Sequence, residues 1–248
     1  MSNVRPDPIC MLLAAGRGER MRPLTDHTPK PLLQAGDKPL IVWHIERLAH
    51  AGITDLVINY AHLGAQIENA LGDGSRYGVR IRYSPEHPSA LETAGGIANA
   101  LALLGDKPFA VINSDIYCDY DFARLPEHAA TLQASGDTAH LVLINNPVHH
   151  PNGDFGLANG RVTDPASAIR NPQSAILTFS GIGIYQPILF GHIPRGTAAP
   201  LAPLLRAQIA LGKVSGEFHS GYWVDVGTPQ RLEELDKQLR TTQNTGHA

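Results

Sequence analysis

Between residues 9 and 113, apolar runs of strand length alternate with segments whose apolar residues recur every three or four positions. Few architectures satisfy that alternation. The simplest is a largely parallel sheet whose crossover helices cover its faces. Ile9-Cys10-Met11-Leu12-Leu13 reads as a buried strand. Pro39 opens a helix with Ile41, Ile45 and Leu48 on its buried face, and Gly52 stops it. Residues 55–60 give a second strand, followed by a helix carrying Leu63, Ile67 and Leu71 and ending at Gly72. A third strand covers 79–83. A helix striped by Ile97, Leu101 and Leu104 stops at Gly105, and a fourth strand covers 109–113. Right-handed crossovers lay these strands mainly parallel.

The second half is less periodic. Residues 139–144 and 176–185 read as strands, with 145–174 between them as a polar loop. Residues 201–211 read as a helix. An extended segment ends in Tyr222-Trp223-Val224-Asp225-Val226, and Thr228 caps a last helix bearing Leu232, Leu235 and Leu239. No linker divides the chain, so one domain over 1–240 is expected, with 241–248 as a flexible C-terminal tail. The expected class is α/β, with a central, mainly parallel mixed sheet.

A net charge of −3 gives no broad basic footprint, which argues against nucleic acid as a partner. Two cysteines are too few for a disulfide scaffold, and no zinc-ligand spacing occurs among Cys and His. No apolar stretch approaches the roughly 20 residues that span a bilayer. The apolar run before Gly16 is too short for a secretion signal, so a cytoplasmic protein with no membrane partner is expected. Oligomeric state has no sequence signal.

Four motifs carry chemistry. The first is Leu13-Ala14-Ala15-Gly16-Arg17-Gly18-Glu19-Arg20-Met21-Arg22-Pro23-Leu24-Thr25, with Pro29-Lys30-Pro31-Leu32 after it. A small-residue turn following a buried strand lets backbone N–H groups approach a phosphate, and Arg20 and Lys30 add fixed positive charge. The spacing is neither a dinucleotide fingerprint, since Met21 stands where a third glycine belongs, nor a Walker loop. The second is Asn113-Ser114-Asp115 at a strand end, where open α/β sheets gather ligands. The third is Trp223-Val224-Asp225-Val226-Gly227-Thr228-Pro229, and the fourth is Leu91-Glu92-Thr93-Ala94-Gly95-Gly96 at a helix start.

The opening loop and its Pro-Lys-Pro-Leu sequel resemble the signature of the sugar-1-phosphate nucleotidyltransferase family, matching it throughout. That resemblance implies a three-layer, Rossmann-like nucleotidyltransferase fold. It implies a nucleoside triphosphate held by Ala15, Gly16, Gly18, Glu19 and Arg20, with Asn113 nearby, and Lys30 bridging both substrates. Arg20 and Lys30 are the implied catalytic residues. Asp115 and Asp225 are the implied Mg²⁺ ligands, an oxygen set that magnesium favours together with substrate phosphates. Glu92, Thr93 and Gly95 are implied at the base and ribose. Asp154, Gly156 and Ser180 resemble sugar-binding positions. Ser114 departs from the family's usual glycine.

The pattern over residues 9–240 is most similar to the short bacterial N-acetylmuramate-1-phosphate uridylyltransferases of peptidoglycan recycling. It implies UTP and N-acetylmuramic acid 1-phosphate, with Arg206 as a candidate partner for the sugar's carboxylate. Mannose-1-phosphate guanylyl transfer, thymidylyl transfer to glucose-1-phosphate, and a catalytically silent sugar-nucleotide binding subunit are the alternatives. The implied reaction is in-line attack of one phosphate on another, so charge compensation and positioning carry it, with no general base.

Overall fold

A computed structural model describes residues 8–169 and 174–245. The chain opens with β1 (Cys10–Leu13). A loop of short 3-10 turns follows, then a small hairpin of β2 (Gln34–Ala35) and β3 (Lys38–Pro39), and α1 (Leu40–His50). Next come β4 (Asp55–Tyr60), α2 (Gly64–Leu71), β5 (Arg80–Pro85), α3 (Glu92–Leu104) and β6 (Phe109–Asn113). These four long strands pair in parallel in the order β5-β4-β1-β6. The first half is therefore the open α/β unit that the periodicity predicts.

Beyond it lie β7 (Ile116–Cys118), α4 (Leu125–Ser135), β8 (Ala139–Ile144), β9 (Phe155–Ala158), β10 (Arg161–Thr163) and α5 (Pro165–Ile169). Then follow β11 (Ala175–Tyr185), α6 (Leu201–Ala210), β12 (Val214–His219), β13 (Trp223–Asp225) and α7 (Pro229–Thr245). Strand β11 pairs antiparallel with β6 and β8 and so joins the halves, making a nine-stranded mixed sheet ordered β5-β4-β1-β6-β11-β8-β12-β10-β9.

Three features differ from the expectation. The stretch 145–174 is not all loop: β9 and β10 form a hairpin there, with Ala158 paired to Arg161 across Asn159 and Gly160. Both turn residues have positive φ, 50° and 73°, which an Asn-Gly pair tolerates and a two-residue hairpin requires. Helix α4 was hidden by a thin stripe, only Leu125, Ala129 and Leu132 being buried. Helix α7 runs to Thr245, into the stretch expected as a loose tail; residues 246–248 lie outside the described residues.

Strand alternation divides the core in two. Cys10 and Leu12 face α1, α2 and α4, whereas Met11 faces α3 and α6. A third cluster joins Leu235 and Leu239 of α7 to Met21, Leu33 and Ala35, so the last helix fixes the opening loop from outside. Asp236 Oδ1 accepts from Gly36 N at 2.8 Å and strengthens that clasp.

Helix α1 holds β7 by its carbonyls. Arg47 donates to Cys118 O and, at 2.5 Å, to Tyr120 O. His44 Nε2 donates to Ile116 O at 2.7 Å, and its buried Nδ1 has no hydrogen-bond partner, which fits the neutral ring. Burial lowers the His44 pKa most; the Ile116 carbonyl opposes this and nearby Arg47 adds to it, leaving a value of about 4. The unfolded chain therefore takes a proton below about 6.5, while the folded chain does not until about 4. This contribution is complete above the upper value and is lost as pH falls through the window. Denaturant unfolding is expected to show about 3 kcal/mol of stability lost from this group between pH 6.5 and 4. The His44→Gln variant is expected to show a shallower pH slope there; an unchanged slope would contradict the assignment.

Candidate active site

Strands β1 and β6 end side by side, Leu13 paired with Asn113, so the opening loop and Asn113-Ser114-Asp115 leave the same edge of the sheet. Ser114 N and Oγ both donate to Leu13 O, at 3.1 and 2.6 Å, which ties the two strand ends together. The hydroxyl in place of the family's usual glycine is thus absorbed into backbone bonding. Ala14 N donates to Asn59 Oδ1 at 2.9 Å. Gly18 sits at φ 70°, and a Cβ there would lie 3.0 Å from Thr25 Cγ2 and 3.3 Å from Lys30 Cβ. Only glycine satisfies both the left-handed backbone and that closeness.

The backbones of the two distant aspartates are brought side by side. Strand β13 pairs antiparallel with β7, Asp225 opposite Ile116, and Val226 N donates to Asp115 O at 2.7 Å. Lys30, its side chain 9% exposed, sets Nζ 2.6 Å from Asp115 Oδ2. Asp225 Oδ1 is held by Arg231 and lies 2.8 Å from His149 Nε2. A Cβ on Gly227 would stand 2.6 Å from Arg231 Nη2 and 3.0 Å from both Arg20 Nη2 and Asp225 Oδ2. Arg20 therefore reaches the same cluster, and Gly227 makes room for it.

Two adjoining cavities share Glu92, Thr93 and Asn113. The first, of about 220 Å³, is walled by residues that include Ala15, Gly16, Lys30, Glu86 and Asp115. The second, of about 480 Å³, adds Asp154, Phe155, Phe179, Leu205 and Arg206. Glu92 stands between them with φ 58°, an uncommon conformation for a residue with a Cβ and a form of strain that clusters at functional sites.

Other predicted site residues have different places. Gly95 does not face the cleft: its N donates to Ala199 O at 3.1 Å, and a Cβ would lie 2.3 Å from Thr197 O. Its role is close packing of α3 on the 197–199 segment. Gly156 is likewise packed inside, where a Cβ would meet Thr163 Oγ1 at 2.3 Å. Ser180 is buried at 1%, its Oγ accepting from Ile182 N. Asp154 lines the second cavity, but its Oδ2 accepts from Phe179 N at 2.8 Å and its Oδ1 lies 3.0 Å from His150 Nε2. Glu19 is exposed and paired with Arg17.

Sequence reasoning missed Asn59, Glu86, His149 and Arg231. Glu86 is 2% exposed and accepts from Asn59 Nδ2 and Leu91 N, both at 2.6 Å. Burial raises its pKa, opposed by these two hydrogen bonds. Gly96 fits only because it lacks a Cβ, which would stand 2.5 Å from Glu86 Oε1. No spacing marks Glu86, but Arg231 had a signal: it lies one helical turn from the capping Thr228, beside Asp225 in sequence.

The chain matches the Nucleotidyl transferase family over residues 9–242. It is 54% identical to the N-acetylmuramate alpha-1-phosphate uridylyltransferase of Neisseria meningitidis serogroup B over 233 residues, covering 90% of this chain and 95% of that one. It is 32% identical to a mannose-1-phosphate guanyltransferase of Hypocrea jecorina, spanning 89% of this chain but 61% of that longer protein. Among solved structures, an apo-UDP-glucose pyrophosphorylase shares the fold with a TM-score of 0.75 at 19% identity, covering 96% of this chain and 99% of its own. With the match running from the first strand into the last helix, the chain belongs to the nucleotidyl transferase family.

Proposed function

We propose that this protein transfers UMP from UTP to N-acetylmuramic acid 1-phosphate and releases pyrophosphate. The observation that carries the reading is the juxtaposition, on one antiparallel ribbon, of the Lys30–Asp115 pair with Arg20 and Asp225 grouped around Gly227, beside adjoining cavities lined by Lys30, Asp115 and Arg206. The 54% identity to the Neisseria uridylyltransferase supports the choice of substrates. The phosphorylated substrates fit a cytoplasmic reaction on the recycling side of cell-wall metabolism.

A phosphate oxygen of the sugar phosphate attacks the α-phosphorus of UTP. The new P–O bond forms as the bond from the α-phosphorus to the bridging oxygen breaks, and pyrophosphate leaves with that electron pair. Both reactants are anions, so the residues' main task is to offset repulsion. Lys30, nearly buried, presents its ammonium where the two phosphates would meet. Arg20 and Arg231, gathered over Gly227, supply charge toward the departing phosphates. The nucleophile is already ionised, so no side chain needs to take a proton.

The donor chemistry fits magnesium. Among the described residues, Lys30 engages only Oδ2 of Asp115, and Arg231 and His149 engage only Oδ1 of Asp225. One oxygen of each carboxylate is therefore left for a hard cation. Asp115 and Asp225 would hold the ion, and it would supply charge neutralisation and orientation of the phosphates.

The second cavity pairs an apolar wall of Phe155, Phe179 and Leu205 with one cation, Arg206. A lactyl ether presents a methyl group and a carboxylate, and both ends find partners there. Guanylyl transfer to mannose-1-phosphate is the competing reading, given the Hypocrea relative. It offers no carboxylate for Arg206.

Pyrophosphate release measured over UTP, GTP and dTTP, each with N-acetylmuramic acid, N-acetylglucosamine, mannose and glucose 1-phosphates, tests this directly. UTP with the muramic acid substrate is expected to be fastest, and a preference for GTP with mannose-1-phosphate would overturn the proposal. In the same assay Asp115→Asn and Asp225→Asn are each expected to lose about 10²-fold or more in kcat. Near-normal magnesium-dependent turnover in either would remove the metal assignment. Arg206→Ala is expected to lower kcat/KM for N-acetylmuramic acid 1-phosphate by roughly 10–100-fold, the value of a charged hydrogen bond. Activity toward N-acetylglucosamine 1-phosphate is expected to change little; an equal loss on both sugars would count against a carboxylate contact.

A further inference from the structure

A second polar cluster lies apart from the cleft, on the sheet face that α4 covers. His140 pairs with Ser215 and Val142 with Glu217 across the parallel β8 and β12. These four residues therefore share one face of the sheet. Val142 packs there with Leu125, Ala129 and Leu132 of α4, and the same helix brings His128 down onto His140. The two imidazoles stack at 4.3 Å. His128 Nε2 is 3.1 Å, and His140 Nε2 4.0 Å, from the same Oε1 of Glu217. The three side chains are 15%, 12% and 15% exposed.

Both Nε2 atoms are closed off from solvent, and their approaches to Glu217, at 3.1 and 4.0 Å, lack the alignment or closeness of a full hydrogen bond. Ser215 Oγ donates to Ala139 O and lies 3.0 Å from His140 Nδ1, so it is placed to accept the Nδ1 proton. In the tautomer with its proton on Nδ1, His140 turns the Nε2 lone pair toward a carboxylate oxygen 4.0 Å away. Glu217 is itself oriented by Tyr120 Oη, 2.5 Å from Oε1, and by Arg124 Nη2, 2.5 Å from Oε2. The two ring nitrogens and the carboxylate face a common point, His140 and Glu217 positioned by their neighbours and His128 by its stack on His140.

We propose that His128, His140 and Glu217 form a binding site for a divalent transition metal of the zinc class. Two imidazoles and one carboxylate make a donor set that zinc uses, and the contacts of His140 with Ser215 and of Glu217 with Tyr120 and Arg124 are the outer contacts that orient such ligands. Nitrogen donors set it apart from the all-oxygen pair in the cleft. The ligand atoms now lie within 4.8 Å of one another. Tetrahedral binding at bonds of about 2.0–2.1 Å asks them to close to roughly 3.3 Å, with the stacked rings swinging about their Cβ–Cγ bonds. The ion would clip α4 to β8 and β12. It would also sit behind Tyr120, which follows the strand paired with Asp225, and so brace the base of the active-site ribbon.

Full-length protein stripped with chelator is titrated with Zn²⁺ alone, read by calorimetry and by metal retained after desalting, and with Co²⁺, read by its visible absorption. The wild type is expected to keep one equivalent of Zn²⁺. Its Tm is expected to rise by about 5–10 °C when free Zn²⁺ exceeds Kd 100-fold. His128→Gln, on the outer helix and least able to disturb folding, and His140→Gln are each expected to weaken this binding at least 10-fold and to abolish the cobalt spectrum. Asp225→Asn is expected to leave both unchanged. A wild type that retains no metal, or histidine variants that bind it as well as wild type, would overturn the proposal. So would loss of the bound equivalent in Asp225→Asn, which would assign it to the cleft. Circular dichroism melts of each metal-free variant separate lost binding from lost folding.

Discussion

Two carboxylates separated by more than a hundred residues are brought to neighbouring places by a short antiparallel ribbon, and a lysine from the opening loop closes on one of them. That placing of Lys30 on Asp115, with Asp225 on the adjoining strand, is the constraint the candidate site depends on. Each charge alone would be costly to hold beside the apolar interior, Lys30 above all, since it is almost fully buried. Together they are compensated, and they face the place where two phosphorylated substrates would repel one another. In the proposed reaction the pair would stand in for the ligands, carboxylate satisfying ammonium where phosphate and cation would take over both roles.

The rest of the fold keeps this cluster in place. Strands β1 and β6 end in register and are sewn together through Ser114. Helix α1 grips two carbonyls of β7 and that of Tyr120 just beyond it, through His44 and Arg47. Helix α7 packs Leu235 and Leu239 against the far side of the opening loop and carries Arg231 in to Asp225. The last helix therefore both braces the phosphate loop and completes the charge cluster.

How far the sequence revealed this varies with the physics involved. Strands and helices of the first half were legible because each element buries one apolar face and so repeats with its own period. Helix α4 was not, since its buried stripe is thin and its polar His128 turns inward toward Glu217. The hairpin at Asn159-Gly160 had a readable turn, but two strands of four and three residues give too little alternation to register. At the site, Lys30, Arg20, Asp115 and Asp225 were singled out because their motifs are ordered strings, and the fold sets Lys30 on Asp115 and Arg20 beside Asp225 around Gly227. Gly95, Gly156 and Ser180 stand in similar strings but serve packing, a distinction that only three-dimensional neighbours reveal. Asn59 and Glu86 act through each other across the cleft floor, and nothing local in the sequence marks such a pair.

In the proposed reaction the Lys30–Asp115 contact would give way to a single cation shared by both aspartates. A crystal structure with Mn²⁺ and a non-hydrolysable UTP analogue tests it most directly, through the anomalous signal of the metal. One peak bonded to carboxylate oxygens of both Asp115 and Asp225 is expected, with the Lys30 ammonium moved onto phosphate oxygen. A peak on only one aspartate or on neither, with Lys30 still bound to Asp115, would contradict it.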